Sequence, residues 1–265
     1  MKPTLAPWLR MLCQIVLVAF TPVVLTLTNV RLLMTPLFPE IEYRLPGFPA
    51  DLYGFTLENR LRGARLSIDY LVNNAGIDFL AKLTFADVGL PGESAPADSC
   101  DHAQSADCSR WASSVNLPVG SPRACTNFYN TCELKHMQDV KNVTRVALSV
   151  WLVGAVLALL AAGVLYYTWE WSALRGALLV GASLTGVIYL GLLLYIAINF
   201  NALFVQFHEV FFASGTWTFL WSDSLIRMFP LRFWQDCFIF VGGASVLEAA
   251  ALAALSRVIK STTSP

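Results

Sequence analysis

The sequence predicts an all-α integral membrane protein with four transmembrane helices. Of its 265 residues, 56% are hydrophobic and only 14% are charged, a composition too apolar for an ordinary soluble domain. A hydrocarbon core about 30 Å thick is crossed by roughly 20 apolar helical residues. Four stretches reach this length, at about residues 9–30, 146–168, 176–200 and 233–255. We therefore expect residues 1–265 to form a single integral membrane domain.

The first apolar stretch also has features of a secretory signal peptide, because Lys2 and Arg10 precede it. Its apolar region is longer than the roughly 7–15 residues of a signal peptide, and no small-x-small cleavage site ends it. We therefore expect a membrane anchor that is retained.

Basic residues beside the spans predict the orientation, since Lys and Arg in short flanks are kept on the cytoplasmic side. If both chain ends are cytoplasmic, all the basic residues beside the spans lie on the cytoplasmic side, and residues 31–145 and 201–232 are extracytoplasmic. These basic residues are Lys2, Arg10, Arg175, Arg257 and Lys260.

The extracytoplasmic segment 31–145 has two parts that differ in composition. Residues 52–90 combine amphipathic patterns with expected breaks at Gly54, Gly63 and Gly76, which predicts short helices on the outer membrane face. Residues 91–132 are rich in Ser, Ala, Asp, Pro and Cys and predict a polar loop over that face. The second extracytoplasmic stretch, 201–232, is so rich in Phe and Trp that we expect an interfacial or re-entrant segment packed against protein.

Four cysteines fall within the polar loop, and their even number and external placement predict two disulfides and an oxidising compartment. They are Cys100, Cys108, Cys125 and Cys132. Three pairings are possible, and the spacing does not choose among them. Cys13 and Cys237 lie in or beside spans and are expected to be buried thiols.

Several functional classes are disfavoured. The net charge is zero, whereas a nucleic-acid-binding protein needs a basic face. The sequence contains no Gly-x-Ser-x-Gly elbow, His-Glu-x-x-His motif, phosphate-binding glycine loop or Cys-x-x-Cys motif. His102 lies between Cys100 and Cys108, but disulfides explain those cysteines more simply than a metal does. We expect no metal and no cofactor.

Glu248, inside the fourth span, is expected to form a structural bond to another helix.

Two of the three histidines are candidates for acid/base catalysis. His136 precedes the second span by about ten residues and His208 follows the third, so both should lie near the outer membrane surface. The short connection near residues 169–175 predicts antiparallel neighbouring spans. The two rings should therefore approach one another across an outward-facing pocket. The alternative is that each histidine caps a helix or forms an interfacial hydrogen bond.

Asp139 lies three residues after His136 and is a candidate to orient its imidazole. Alternatively, Asp139 and its charged neighbours form the solvated start of a helix, where an acid is favoured by the helix dipole.

Four blocks together resemble the family of bacterial four-helix membrane proteins that contains the lipoprotein intramolecular transacylase. The resemblance covers most of the chain except residues 91–132, which resemble an insertion. The blocks are Tyr53-Gly54-Phe55 with Arg60, Glu133-x-x-His136-Met137-x-Asp139-Val140-Lys141, Phe207-His208-x-x-Phe211-Phe212 with Trp217, and Leu225-Ile226 leading to Phe229-Pro230.

This resemblance implies an enzyme that moves the sn-2 acyl chain of a diacylglyceryl lipoprotein onto the α-amino group of its N-terminal cysteine. The substrate would lie in the outer leaflet of the cell membrane, and no covalent enzyme nucleophile is required. His136 and His208 would then be catalytic, with Asp139 as orienter. The expected substrate contacts are Arg60, Lys141, Trp217 and Arg227.

Two other functions remain open at this point. One is a non-enzymatic receptor or assembly subunit whose disulfide-bonded loop binds a partner. The other is a lipid ester hydrolase that uses water in place of the amine.

Overall fold

A computed structural model of the chain describes residues 5–100, 105–117, 125–168 and 170–258. Lys2, His102, Trp169 and Lys260, which were used in the predictions above, lie outside these residues. The described part is almost entirely helical and contains one isolated β-bridge, between Thr84 and Asn127, and no strand. The all-α prediction is confirmed. The α-helices are α1 Pro7–Leu33, α2 Leu37–Glu42, α3 Leu57–Val72, α4 Asp78–Ala81, α5 Ala97–Cys100, α6 Ala106–Ser114, α7 Thr131–Tyr167, α8 Trp171–Phe211, α9 Ser224–Met228 and α10 Leu231–Val258, with a 3₁₀ turn at Phe85–Val88.

Four helices among the described residues are long and apolar enough to cross a membrane, namely α1, α7, α8 and α10. Helix α7 has 37 residues and α8 has 41. At 1.5 Å per residue both are longer than a bilayer core needs, so each extends beyond its predicted apolar span. In α8 the backbone of Asn199 leaves helical geometry, and the helix resumes after this kink. His208 lies in the segment that follows.

The chain divides into two compact units. The first consists of the described residues of 1–32, 146–200 and 237–265. Its surface is apolar, with Leu159 and Leu247 each more than 70% exposed, as expected for side chains that face lipid. Glycine allows close helix packing there: a Cβ on Gly154 would lie 2.6 Å from the Phe20 ring.

Polar side chains within the first unit pair with one another between helices. Trp151 donates its indole N–H to Thr28 at 3.0 Å. Glu248 accepts a hydrogen bond from the Asn29 amide of α1 at 2.9 Å, which is the interhelical bond expected for an acid in a span. Because a polar group without a partner is costly in hydrocarbon, these bonds also fix which helix faces meet.

The second unit consists of residues 33–145 and 201–236, as far as they are described. Its core is a group of fully buried side chains that includes Tyr70, Phe85, Phe128 and Met228. Residues 52–90 do form short helices, but α3 lies within this core, with Ala64 and Tyr70 at 0% exposure. Gly63 does not break α3 as expected; it lies inside the helix at a position where a side chain would collide with Met228.

The structure pairs Cys100 with Cys125 and Cys108 with Cys132, which selects one of the three possible pairings. The Cα atoms are 5.6 Å apart in the first pair and 5.1 Å apart in the second. The described part of the segment 91–132 contains two short helices, α5 and α6. The second disulfide joins α6 to the first turn of α7.

Candidate active site

His136 and His208 lie together in the second unit. His136 is in the second turn of α7, and His208 is near the end of α8. Their ring centroids are 5.9 Å apart, and the ring planes are 21° from parallel. Both side chains are buried, at 7% and 9% exposure.

The start of α7 is held by Glu133, which sequence reasoning passed over as a site residue. Asn130 accepts a hydrogen bond from the Glu133 backbone N–H at 2.9 Å, and Glu133 accepts one in return from the Asn130 N–H at 2.7 Å. The other Glu133 oxygen accepts the backbone N–H of Leu225 at 2.6 Å. This reciprocal cap, readable as Asn-x-x-Glu, fixes the helix one turn before His136.

The tautomer of His208 follows from its hydrogen bond. Its Nδ1 lies 2.7 Å from the backbone carbonyl oxygen of Phe204, one turn earlier in α8. Because a carbonyl oxygen only accepts, Nδ1 must carry the proton. In the neutral ring Nε2 then has a free lone pair, which is the form that accepts a proton from a substrate.

Aromatic side chains surround the two imidazoles. Phe212 lies 4.7 Å from the His136 ring and 5.5 Å from the His208 ring, Phe219 lies 5.5 Å from His136, and Trp217 lies 4.9 Å from His208. Two polar atoms in this apolar shell, His136 Nδ1 and Trp217 Nε1, are buried and make no hydrogen bond within the described residues. Buried polar atoms are almost always paired, so these two mark the shell as a place for a polar ligand.

Asp139 is not hydrogen-bonded to His136. Its carboxylate accepts a hydrogen bond from Lys135, one turn earlier in α7. The acid and base at i and i+4 satisfy each other on the helix surface. The structure therefore gives Asp139 a local ion pair in place of the expected contact with the imidazole.

Arg60 and Arg227 cluster around Asp51 and not around the histidines. Arg227 binds the Asp51 carboxylate at 3.0 Å and the carbonyl of Tyr53 at 3.0 Å. Arg60 donates to the Pro49 carbonyl at 2.6 Å, and burial lowers the pKa of its guanidinium, against the opposing effect of Asp51. Both arginines thus stabilise the backbone on either side of Asp51.

Lys141 is also engaged away from the histidines. Its ammonium donates to the Ala75 carbonyl at 2.6 Å and to the Asn73 side chain at 3.2 Å, and it lies 3.9 Å from the centre of the Tyr70 ring. These contacts join α7 to the end of α3 and to the residues that follow it. No group of three or more metal-ligating side chains is found among the described residues.

Comparisons with known proteins identify the family. The family model described as "Lipoprotein intramolecular transacylase Lit" matches residues 13–234. An uncharacterized protein of Aquifex aeolicus (strain VF5) is 28% identical over 246 residues, which cover 90% of each chain. The membrane integral lipoprotein intramolecular transacylase Lit from Bacillus cereus superposes with a TM-score of 0.69 at 19% identity, over 96% of this chain and 97% of that one.

A variant of the Bacillus cereus protein with one histidine replaced by arginine gives a TM-score of 0.62 at 19% identity, over 94% of this chain and 91% of that one. At these identities the solved structures establish the shared fold, and the family model covers well over half of the chain. The chain is a multi-pass membrane protein that belongs to the Lit family of lipoprotein intramolecular transacylases.

Proposed function

We propose that this chain transfers the sn-2 acyl group of a diacylglyceryl lipoprotein to the α-amino group of the same molecule's N-terminal cysteine. The observation that carries the proposal is the buried pair of histidines, 5.9 Å apart in an aromatic shell. The family name favours acyl transfer over a receptor or assembly role. Ester and amine belong to one substrate, so the enzyme has to fold that substrate, exclude water and move one proton.

His208 is the general base in this mechanism. Its Nδ1–H is held by the Phe204 carbonyl, which leaves Nε2 to take the proton from the attacking amine. A new N–C bond then forms at the ester carbonyl. The aromatic rings around the pair suit an N-terminal ammonium before it is deprotonated, since cations are attracted to ring faces.

His136 acts on the oxygen side of the reaction. As the tetrahedral intermediate collapses, the ester C–O bond breaks, and the sn-2 oxygen of the glycerol takes the proton that His208 removed from the amine. The neutral His136 ring donates a hydrogen bond to that oxygen as it leaves, and His208 returns to its neutral form. The indole N–H of Trp217, which has no hydrogen-bond partner among the described residues, donates to the carbonyl oxygen as negative charge develops.

The orientation forms part of the proposal. Both termini are cytoplasmic and the histidines face the extracytoplasmic side, where the outer-leaflet substrate lies. The basic flanking residues Arg10, Arg175 and Arg257 support this orientation. The two disulfides support it independently, because such bonds persist on the oxidising side of the membrane.

The test is expression in a host whose lipoproteins are diacylated, followed by mass spectrometry of N-terminal lipopeptides. We expect a lyso-form lipopeptide whose α-amine is acylated. Either His136→Gln or His208→Gln should lower its formation by roughly 10²- to 10⁴-fold without loss of folded protein. Glu209→Gln is the matched control, since Glu209 is the exposed neighbour of His208 in α8.

Two results would contradict the proposal. Free fatty acid with an unacylated cysteine would show a hydrolase, the one alternative that the same histidine pair also supports. Normal product from the double histidine variant would remove the pair from the mechanism.

A further inference from the structure

A cavity of about 220 Å³ lies in the second unit beside the histidine pair. Its walls come from the disulfide-bonded segment, the start of α7 and the loop before α9. They include Ser105, Asn130, Cys132, Thr218, Phe219 and Asp223. Phe219 also contacts His136, with ring centroids 5.5 Å apart. A ligand in this cavity would therefore share a wall with the site where the acyl group is transferred.

The walls of this cavity are held in place by bonds between the segments that form them. The Cys108–Cys132 disulfide ties α6 to the first turn of α7. Ser99 donates a hydrogen bond to the buried carboxylate of Asp223, and Ser222 donates one to Asp98 at 2.8 Å. The cavity is thus formed before a ligand binds, which lowers the entropic cost of binding.

Polar groups at the wall suit a peptide better than a fatty acyl chain. Thr218 lines the cavity and is exposed, so its hydroxyl is accessible to a ligand, and Asn130 uses its side-chain carbonyl for Glu133, which leaves its NH₂ group. Together they offer both donors and an acceptor, as main-chain amides require. The volume is below the roughly 300–1,000 Å³ of pockets for drug-sized ligands, so one or two residues fit.

We propose that this cavity binds the peptide of the lipoprotein substrate, specifically the residues that follow its lipidated cysteine. The inference rests on the proposed function. The substrate cysteine carries the reacting amine on one side and the rest of the polypeptide on the other. With the amine at the histidines, the peptide must continue into a neighbouring polar site, and the cavity behind Phe219 is such a site. The cysteine-bearing segment thereby helps to select the substrate.

The experiment compares two synthetic diacylglyceryl substrates: the lipidated cysteine amide alone, and the same cysteine followed by four residues. The purified full-length chain is assayed in mixed micelles. Thr218→Val removes the hydroxyl at constant shape, and Thr218→Trp fills the cavity. Ser113→Trp is the control for added bulk, since Ser113 is exposed on α6. Binding of an N-acetylated fluorescent version of the longer substrate, which cannot react, is measured in parallel.

We expect kcat/KM for the longer substrate to fall about 3- to 10-fold in Thr218→Val, the effect of one neutral hydrogen bond, and further in Thr218→Trp. The loss should be several-fold smaller for the cysteine amide, and binding of the unreactive lipopeptide should weaken in parallel. Equal losses for both substrates, or no loss for either, would overturn the peptide site. If the native chain transfers no acyl group, the proposed function fails, and the binding comparison alone still decides the inference.

Discussion

The ion pair between Arg227 and Asp51 should contribute strongly to the stability of the second unit. Both side chains are only 3% exposed, and the charged atoms lie 3.0 Å apart. Asp51 also accepts the backbone N–H groups of Phe55 and Tyr53 at 2.6 and 3.2 Å. Arg227 lies 3.4 Å over the Phe55 ring. Removal of Asp51 therefore leaves two buried arginines without their shared carboxylate, and removal of Arg227 takes away the cation that is hydrogen-bonded to Asp51.

The expected cost of Asp51→Leu or Arg227→Met is about 3–5 kcal/mol, the range for breaking a buried pair. For a chain of this size this corresponds to a fall in melting temperature of roughly 6–20 °C. The double variant should regain part of that loss, since apolar side chains remove both charges together. The assay is thermal unfolding in detergent, followed by tryptophan fluorescence.

The control is Lys82→Met, which breaks an exposed pair with Asp78 and should leave the melting temperature unchanged within error. Additive losses in the Asp51 and Arg227 double variant would refute the coupling. A single variant as stable as the native chain would refute the claim that the charges are buried in the folded protein.

Two further predictions concern the cysteines and a buried glutamate. Thiol labelling of unreduced, denatured chain should find two thiols, those of Cys13 and Cys237, and Cys108→Ala with Cys132→Ala should lower the melting temperature by several degrees. Burial and a neighbouring carboxyl raise the pKa of Glu42 to about 7, so its stabilising contribution is present below pH 4.5 and is lost as pH rises to about 7. The difference in melting temperature between Glu42→Gln and the native chain should therefore shift in favour of the variant from pH 5 to pH 8. An equal difference at both pH values would contradict this.

Hydropathy predicted the four spans but not the full length of their helices. The second span was expected from residue 146, yet α7 begins at Thr131. An apolar window detects only the lipid-facing part of a helix. The polar turns before it are set by the cap between Asn130 and Glu133, a local pattern that can be read from sequence.

The two histidines could be predicted as neighbours because their depth in the membrane follows from the order of the spans. The partners of the charged residues around them could not be predicted from the sequence. Lys141 contacts Ala75, which is 66 residues away in the chain, and Arg227 contacts Asp51 across 176 residues. Such pairs depend on how the second unit folds. The disulfide pairing belongs to the same class, since all three pairings satisfy the sequence equally well.

The absence of a carboxylate on either imidazole, within the part of the chain that is described, has a chemical consequence. In Ser-His-Asp triads an acid stabilises the imidazolium that forms during the reaction. Here His208 is oriented by the neutral carbonyl of Phe204, and His136 by the packing of Phe212 and Phe219. A neutral carbonyl fixes the tautomer and stabilises an imidazolium less than a carboxylate does. Such a site suits a reaction in which a proton is taken from an amine and passed on to a leaving alcohol within one substrate, and it is poorly suited to activating a protein nucleophile.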